Sequence, residues 1–371
     1  MYIVCGSNLH GQWFHTNPVL NEFQQVSVKD CEYSNYDIDI NEIKFIHIGW
    51  SYNLLQHKNT FYLIGSFNGK NKELVKLPLP TKVIPNNKLL LSGNEYNLFL
   101  FEIQSHTMWV VNLENIENVK IINMKTEIPS TIKRYKEDDP IVKVCTSNYN
   151  FICLTAEGAV YSGILPGPLD VSHCFGKVCD VQCGYEHYLL LTDKGRVYSW
   201  GNGRRLQLGH GDLNSIDSPK ELEALSGIHI TMISAGGWHS LALSESGDLY
   251  AWGWNETGQL GIKETEPVNN DLQKVHQDGP NSYGHPTLVD IFNENGDICD
   301  TNVKYISCGN LHSAIILDDN TVWTAGCNNY GQLGFAIETT KQNVFFQKAY
   351  QCLENSLIKC GPWVTVIYSY S

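Results

Sequence analysis

The chain has 371 residues, 42% of them apolar and only 18% charged, with 39 acidic side chains against 26 basic ones and a formal charge of −13. That apolar content supports a sizeable core and excludes a disordered tail protein, and the charged fraction, against about 25% in ordinary domains, argues against coiled coils. The net acidity opposes a sequence-independent grip on phosphate, so nucleic acid is not an expected direct partner.

In chain order, the first element is YIVCGSNLHGQW, from Tyr2 to Trp13, which reads as half of a unit. It has neither the basic nor the apolar segment of a secretory leader, and no run of about 18 apolar residues follows to span a membrane. The twelve cysteines are therefore expected as reduced thiols in the cytosol or nucleus. Phe45 to Gly69 holds a glycine, two strand-type runs and a second glycine. Leu89 to Asn112 keeps Gly93 and the two runs, and Val142 to Gly163 places Thr146 at the first glycine.

Three clear copies then follow. Gly184 to Gly209, Gly236 to Gly261 and Gly309 to Gly334 are each 25 residues apart, while the pitch between copies is 52 and then 73. A fixed unit recurs and the variable length lies between units. Within a unit, HSLALSESGDLYAWGW gives an apolar run, a Ser/Gly/Asp turn and a second run, the pattern of adjacent strands. Two more short segments complete a four-stranded blade. The last element, IKCGPWVTVIYSYS from Ile358, starts a unit whose second half is the N-terminal one, with Gly6 and Gly11 matching Gly253 and Gly258. The count is seven, and a blade shared between the ends removes open sheet edges. The expected fold is an all-β, seven-bladed β-propeller over residues 1–371, closed by that shared blade. Residues 262–302, with eight acids against two bases, form an expected acidic insert between blades.

The GGWHSLAL, WGWNETGQLG and VWTAGCNNYGQLG segments resemble the regulator of chromosome condensation repeat family, most specifically over residues 178–334. The resemblance implies a propeller acting as a non-enzymatic, protein-binding scaffold. In one branch of the family it implies a JmjC-domain oxygenase partner of the lysine demethylase 8 type. It also implies a nuclear role in histone methylation, spindle organisation and chromosome segregation, touching chromatin through the partner. The founding member exchanges nucleotide on the GTPase Ran, so an exchange factor for a small Ran-like GTPase is the alternative.

The remaining motifs read as structure. His187, His239 and His312 stand three residues after the repeat glycine, where Tyr52, Tyr96 and Tyr149 stand in the weaker copies. A catalytic site needs one oriented constellation, and His-Ser pairs at 239–240 and 312–313 recur instead. The ring nitrogen or phenol is expected to bond the backbone of a neighbouring strand. Cys145, Cys183, Cys308 and Cys360 precede the repeat glycine where Ala235 and Ser92 stand in other copies, which asks for a small side chain rather than a metal ligand. His210-Gly211-Asp212 has the spacing of an iron triad but falls in a turn. No catalytic residue, cofactor or metal is expected. The candidate partner-binding residues are Trp50, Tyr185, Trp238 and Trp363, which follow the repeat glycine by one or two positions and are expected on one face.

Overall fold

The computed structural model describes residues 1–27, 38–79, 89–103, 107–123, 139–147, 150–163, 167–263 and 282–369. It is a seven-bladed all-β propeller made of seven four-stranded sheets. Among the described residues helices are confined to 3₁₀ turns at Ile40–Glu42 and Glu223–Leu225, and no helix is long and apolar enough to cross a membrane.

Numbering blades by their inner strands in chain order, blade 1 starts at Ile43–Ile48, blade 2 at Leu89–Gly93 and blade 3 at Ile141–Thr146. Blade 4 starts at Val178–Cys183, blade 5 at Ile230–Ala235 and blade 6 at Val303–Cys308. Blade 7 is the shared one. Its inner strands Leu357–Gly361 and Val364–Tyr368 come from the C-terminus, and Tyr2–Ser7 and Val19–Gln25 from the N-terminus. Tyr2 faces Tyr368 and Gly6 faces Val364 in antiparallel register, the pairing the split repeat implies.

The contacts group the chain into two units. One holds Met1–Ser7, Val19–Gln25 and Gln182–Ser371; the other holds Asn8–Pro18 and Val26–Val181. In the first, the second strands are apolar on both faces, because each lies between two neighbouring blades. In His239–Ser244, Leu241 and Leu243 enter a core shared with Ile315, Leu317 and Trp323 of blade 6. Ala242, between them, joins Leu189, Leu191 and Trp252 on the opposite side. Ala314 and Ile316 likewise turn to Ile3, Ile358 and Ile367 of the shared blade. The second unit repeats the scheme, with Tyr52, Leu54, Leu98 and Trp109 in one seam and Phe99, Phe101, Phe151 and Tyr161 in the next.

The 262–302 stretch differs from a plain insert. Ser282–Leu288 pairs with Leu249–Trp254 as the outer strand of blade 5. Residues 264–281 lie outside the described residues.

Candidate partner-binding site

Two repeated devices build the loops that carry the candidate aromatics. The first lies beneath them. His187 Nε2 bonds Ser240 Oγ of the next blade at 3.0 Å, His239 Nε2 bonds Ser313 Oγ at 2.9 Å, and His312 Nε2 bonds Thr365 Oγ1 at 3.1 Å. Each hydroxyl donates onward to a glutamine carbonyl, of Gln207, Gln259 and Gln332 respectively. A hydroxyl that donates there must accept from the imidazole, so each ring carries its proton on Nε2. All three rings are fully buried, and burial lowers their pKa to about 3 for His187 and His239 and about 4 for His312. These histidines are fixed, neutral hydrogen-bond donors that join blades. Their partner is a side-chain hydroxyl, where the sequence suggested backbone.

Tyr52 fills the histidine's place in blade 1 and donates to the carbonyl of Asn94 at 2.9 Å. In blades 2 and 3 the register is one residue later than the sequence alignment. The loop bond that runs from Gly236 N to His239 O in blade 5 runs from Asn94 N to Asn97 O and from Ser147 N to Asn150 O. Asn94 and Ser147 therefore replace the glycine, and their side chains accept backbone N–H groups of the same loop. Tyr96 falls in that loop and is 55% exposed; Tyr149 lies outside the described residues.

The second device fixes the exposed part of the loop. Gln12, Gln207, Gln259 and Gln332 each accept, through Oε1, the N–H of the residue two before, namely His10, Arg205, Thr257 and Tyr330. That residue then reaches the next blade. His10 meets Trp50 edge-on at 5.7 Å, Tyr330 meets Trp363 at 5.2 Å, and Thr257 Oγ1 donates to the carbonyl of Leu311 at 3.2 Å. In blade 4 the residue is Arg205, whose guanidinium carbon lies 3.3 Å from the Trp254 ring centroid and 5.3 Å from that of Trp238.

The four candidate aromatics are all half-buried. Tyr185 and Trp238 touch, edge to face at 5.3 Å. Trp363 stands apart with Tyr330, its carbonyl accepting from Ser7 N at 2.9 Å. Trp50 belongs to the other unit, with its carbonyl accepting from Gln12 Nε2 at 3.0 Å. The structure thus brings two of the four together, and adds two residues the sequence reading missed. Arg205 could have been found by aligning the loop position four after Gly201 with Thr257 and Tyr330. Trp254 directly follows Gly253 of its own repeat.

Elsewhere the motifs have local partners. His210 Nε2 bonds Ser199 Oγ at 3.0 Å, and Asp212 accepts from Asn214 N at 2.9 Å. The described residues contain no cluster of metal-ligating side chains. The eleven described cysteines are free thiols. Cys145 donates to the carbonyl of Val181 and Cys360 to that of Ser307, while burial pushes the Cys308 and Cys360 thiols up to about 12. A thiol held that far from ionisation is neither a nucleophile nor a ready ligand.

Blades 4 to 7, joined in turn by buried histidine–hydroxyl pairs, and half-buried aromatics at the same loop position of four blades define a repeat propeller. Comparison with known proteins gives the same class. The regulator of chromosome condensation (RCC1) repeat matches residues 194–243 and 246–316, and a second description of that repeat matches 178–207, 230–259 and 303–332. Residues 178–332 therefore carry RCC1-type repeats. It is 35% identical over 210 residues to mouse RCC1 domain-containing protein 1 and 36% identical over 211 residues to the human protein, covering 52% and 51% of this chain. The matches span 56% and 55% of those relatives, so the chain corresponds to about half their length. The structure of human WBSCR16 superposes with a TM-score of 0.74 over 100% of this chain and 98% of that one, at 16% identity.

Proposed function

We propose that this propeller is a non-enzymatic protein-binding scaffold. The observation that carries the reading is the contact group of Tyr185, Trp238, Arg205 and Trp254, which leaves large aromatic surface half-exposed on loops fixed by buried hydrogen bonds. Rigid, partly exposed aromatics and arginine are the residue types that dominate binding energy at protein interfaces. The partner proposed, on the resemblance to RCC1 domain-containing protein 1, is a JmjC-domain oxygenase of the lysine demethylase 8 type. The scaffold would act in the nucleus, linking that oxygenase to histone methylation and chromosome segregation, with chromatin reached through the partner.

Binding of the purified oxygenase, measured by calorimetry against wild type and Trp238→Ala, tests this. Loss of a central aromatic commonly contributes about 2–4 kcal/mol, so affinity should fall by roughly 30- to 1000-fold. The same mutant's melting temperature separates the interface from packing, since Trp238 also contacts Tyr185 and Arg205. Binding unchanged in Trp238→Ala excludes this surface. No binding by the wild type excludes the oxygenase as partner.

A further inference from the structure

The chain has four arginines, at 134, 196, 204 and 205, against a far larger number of lysines. Arg196 is committed within its own surface, bonding Ser226 and pairing with Glu221. Arg205 is exposed yet held flat, its guanidinium against the face of Trp254 and beside Trp238. Stacking satisfies the face of a guanidinium and leaves its edge, with five N–H donors, unused. Among the described residues nothing accepts a hydrogen bond from that edge or pairs with it. Glu186 and Glu256 act on it only through space, and Glu186 instead accepts from Asn202 at 2.8 Å.

Two features mark this loop as specialised rather than as one more blade contact. The equivalent positions carry His10, Thr257 and Tyr330, each of which is used up in reaching the next blade. The next residue, Leu206, adopts φ +61°, where the other three loops place Gly11, Gly258 and Gly331. A leucine in the left-handed region is strained, and such strain persists where the surroundings hold it in place. Leu206 is buried and approaches Gly284 of the outer strand of blade 5, which fixes the backbone that presents Arg205.

We infer that Arg205, clamped by Trp254 and Trp238, is the anchor of this surface and receives an aspartate or glutamate carboxylate from an acidic segment of a protein partner. A pre-oriented guanidinium edge matches a carboxylate with two parallel N–H···O bonds. The two nearby glutamates repel a doubly charged phosphate more than a singly charged carboxylate, which selects between these anions. Aromatic surface on Tyr185 and Trp238 then takes apolar side chains flanking the acid. This rests on the scaffold reading and assigns the chemistry of its contact.

The test uses the full chain and four acetylated, amidated hexapeptides with leucines flanking a central Asp-Glu, Asn-Gln, Lys-Lys or phosphoserine pair, read by tryptophan fluorescence and indole N–H chemical shifts. The Asp-Glu peptide should bind with shifts confined to Trp238 and Trp254. The Asn-Gln peptide should be at least 10-fold weaker, and Arg205→Lys and Arg205→Gln should each weaken the acidic peptide at least 10-fold. Arg196→Gln should leave it unchanged. Absence of acidic-peptide binding up to 10 mM (roughly 10⁻² M, weaker than any useful contact), tighter binding of the lysine or phosphoserine peptide, or an Arg205→Gln variant that melts lower yet binds equally overturns the assignment. If the oxygenase loses affinity with Trp238→Ala but not with Arg205→Gln, the scaffold reading stands and the carboxylate anchor falls.

Discussion

Gly236 shows how closely a single repeat residue is specified. A Cβ there would run into the ring of His239, which folds back over the glycine, and would lie 2.5 Å from the carbonyl oxygen of Gly309 in the next blade. Neither can retreat, because the ring is held by Ser313 and the carbonyl belongs to a neighbouring loop. Gly236→Ala should therefore lower stability by about 1–3 kcal/mol, the usual range for overpacking a filled site, as read from urea unfolding. Ser313→Ala acts from the other side. It leaves the His239 Nε2–H and the Gln259 carbonyl without their shared partner, and should cost about 1–3 kcal/mol for the stranded buried groups. If both variants unfold at the wild-type midpoint, the histidine–hydroxyl joints contribute nothing to the blades.

At the scale of elements, the shared blade makes the ends of the chain part of the core. Ile3 packs with Ile358 and Ile367, and Val4 and Cys5 are fully buried. Deleting residues 1–25 removes two of its four strands and bares the edge of Val364–Tyr368, so the truncated protein should aggregate and lose cooperative melting. A soluble truncation with unchanged melting would contradict the closure. Replacing residues 264–281 with a short Gly/Ser linker should by contrast leave melting unchanged, because the outer strand of blade 5 begins after them, at Ser282. The shared blade was legible in the sequence because its two halves carry the same glycines as the intact repeats. The blade 2 and 3 registers were not. Asn94 and Ser147 do the glycine's work through side-chain bonds to the loop, so Gly93 and Thr146 drew the alignment one position early. The Arg205 contact was not legible either, since it joins a loop of one blade to residues 33 and 49 positions later through a register that only the stacked blades define.

Over the whole molecule, the joints from blade 4 to the shared blade all depend on imidazoles that stay neutral. A free histidine titrates near 6.5, whereas burial and, for His239, the two neighbouring histidines hold these three at about 3, 3 and 4. The direction of the effect follows from linkage. Between about pH 6.5 and pH 4 the unfolded chain takes up protons on these residues and the folded chain does not, so unfolding becomes more favourable as pH falls. At pH 5.5 each histidine costs about 1.4 kcal/mol relative to neutral pH, or about 4 kcal/mol for the three together. The stability is present above the unfolded value and is progressively withdrawn below it, ending only as the folded values are reached. Carboxylates also contribute to acid unfolding, but mainly below pH 5, and a substitution separates the two. Asn97 and Asn150 occupy the histidine's place in blades 2 and 3, so His239→Asn places a residue the fold already uses there. Its stability at pH 7.5 should drop, while its loss between pH 7.5 and 5.5 should be about 1.4 kcal/mol smaller than that of wild type. Urea unfolding of both proteins at the two pH values reads this directly, and equal losses would show that His239 takes up its proton as readily in the folded chain as in the unfolded one.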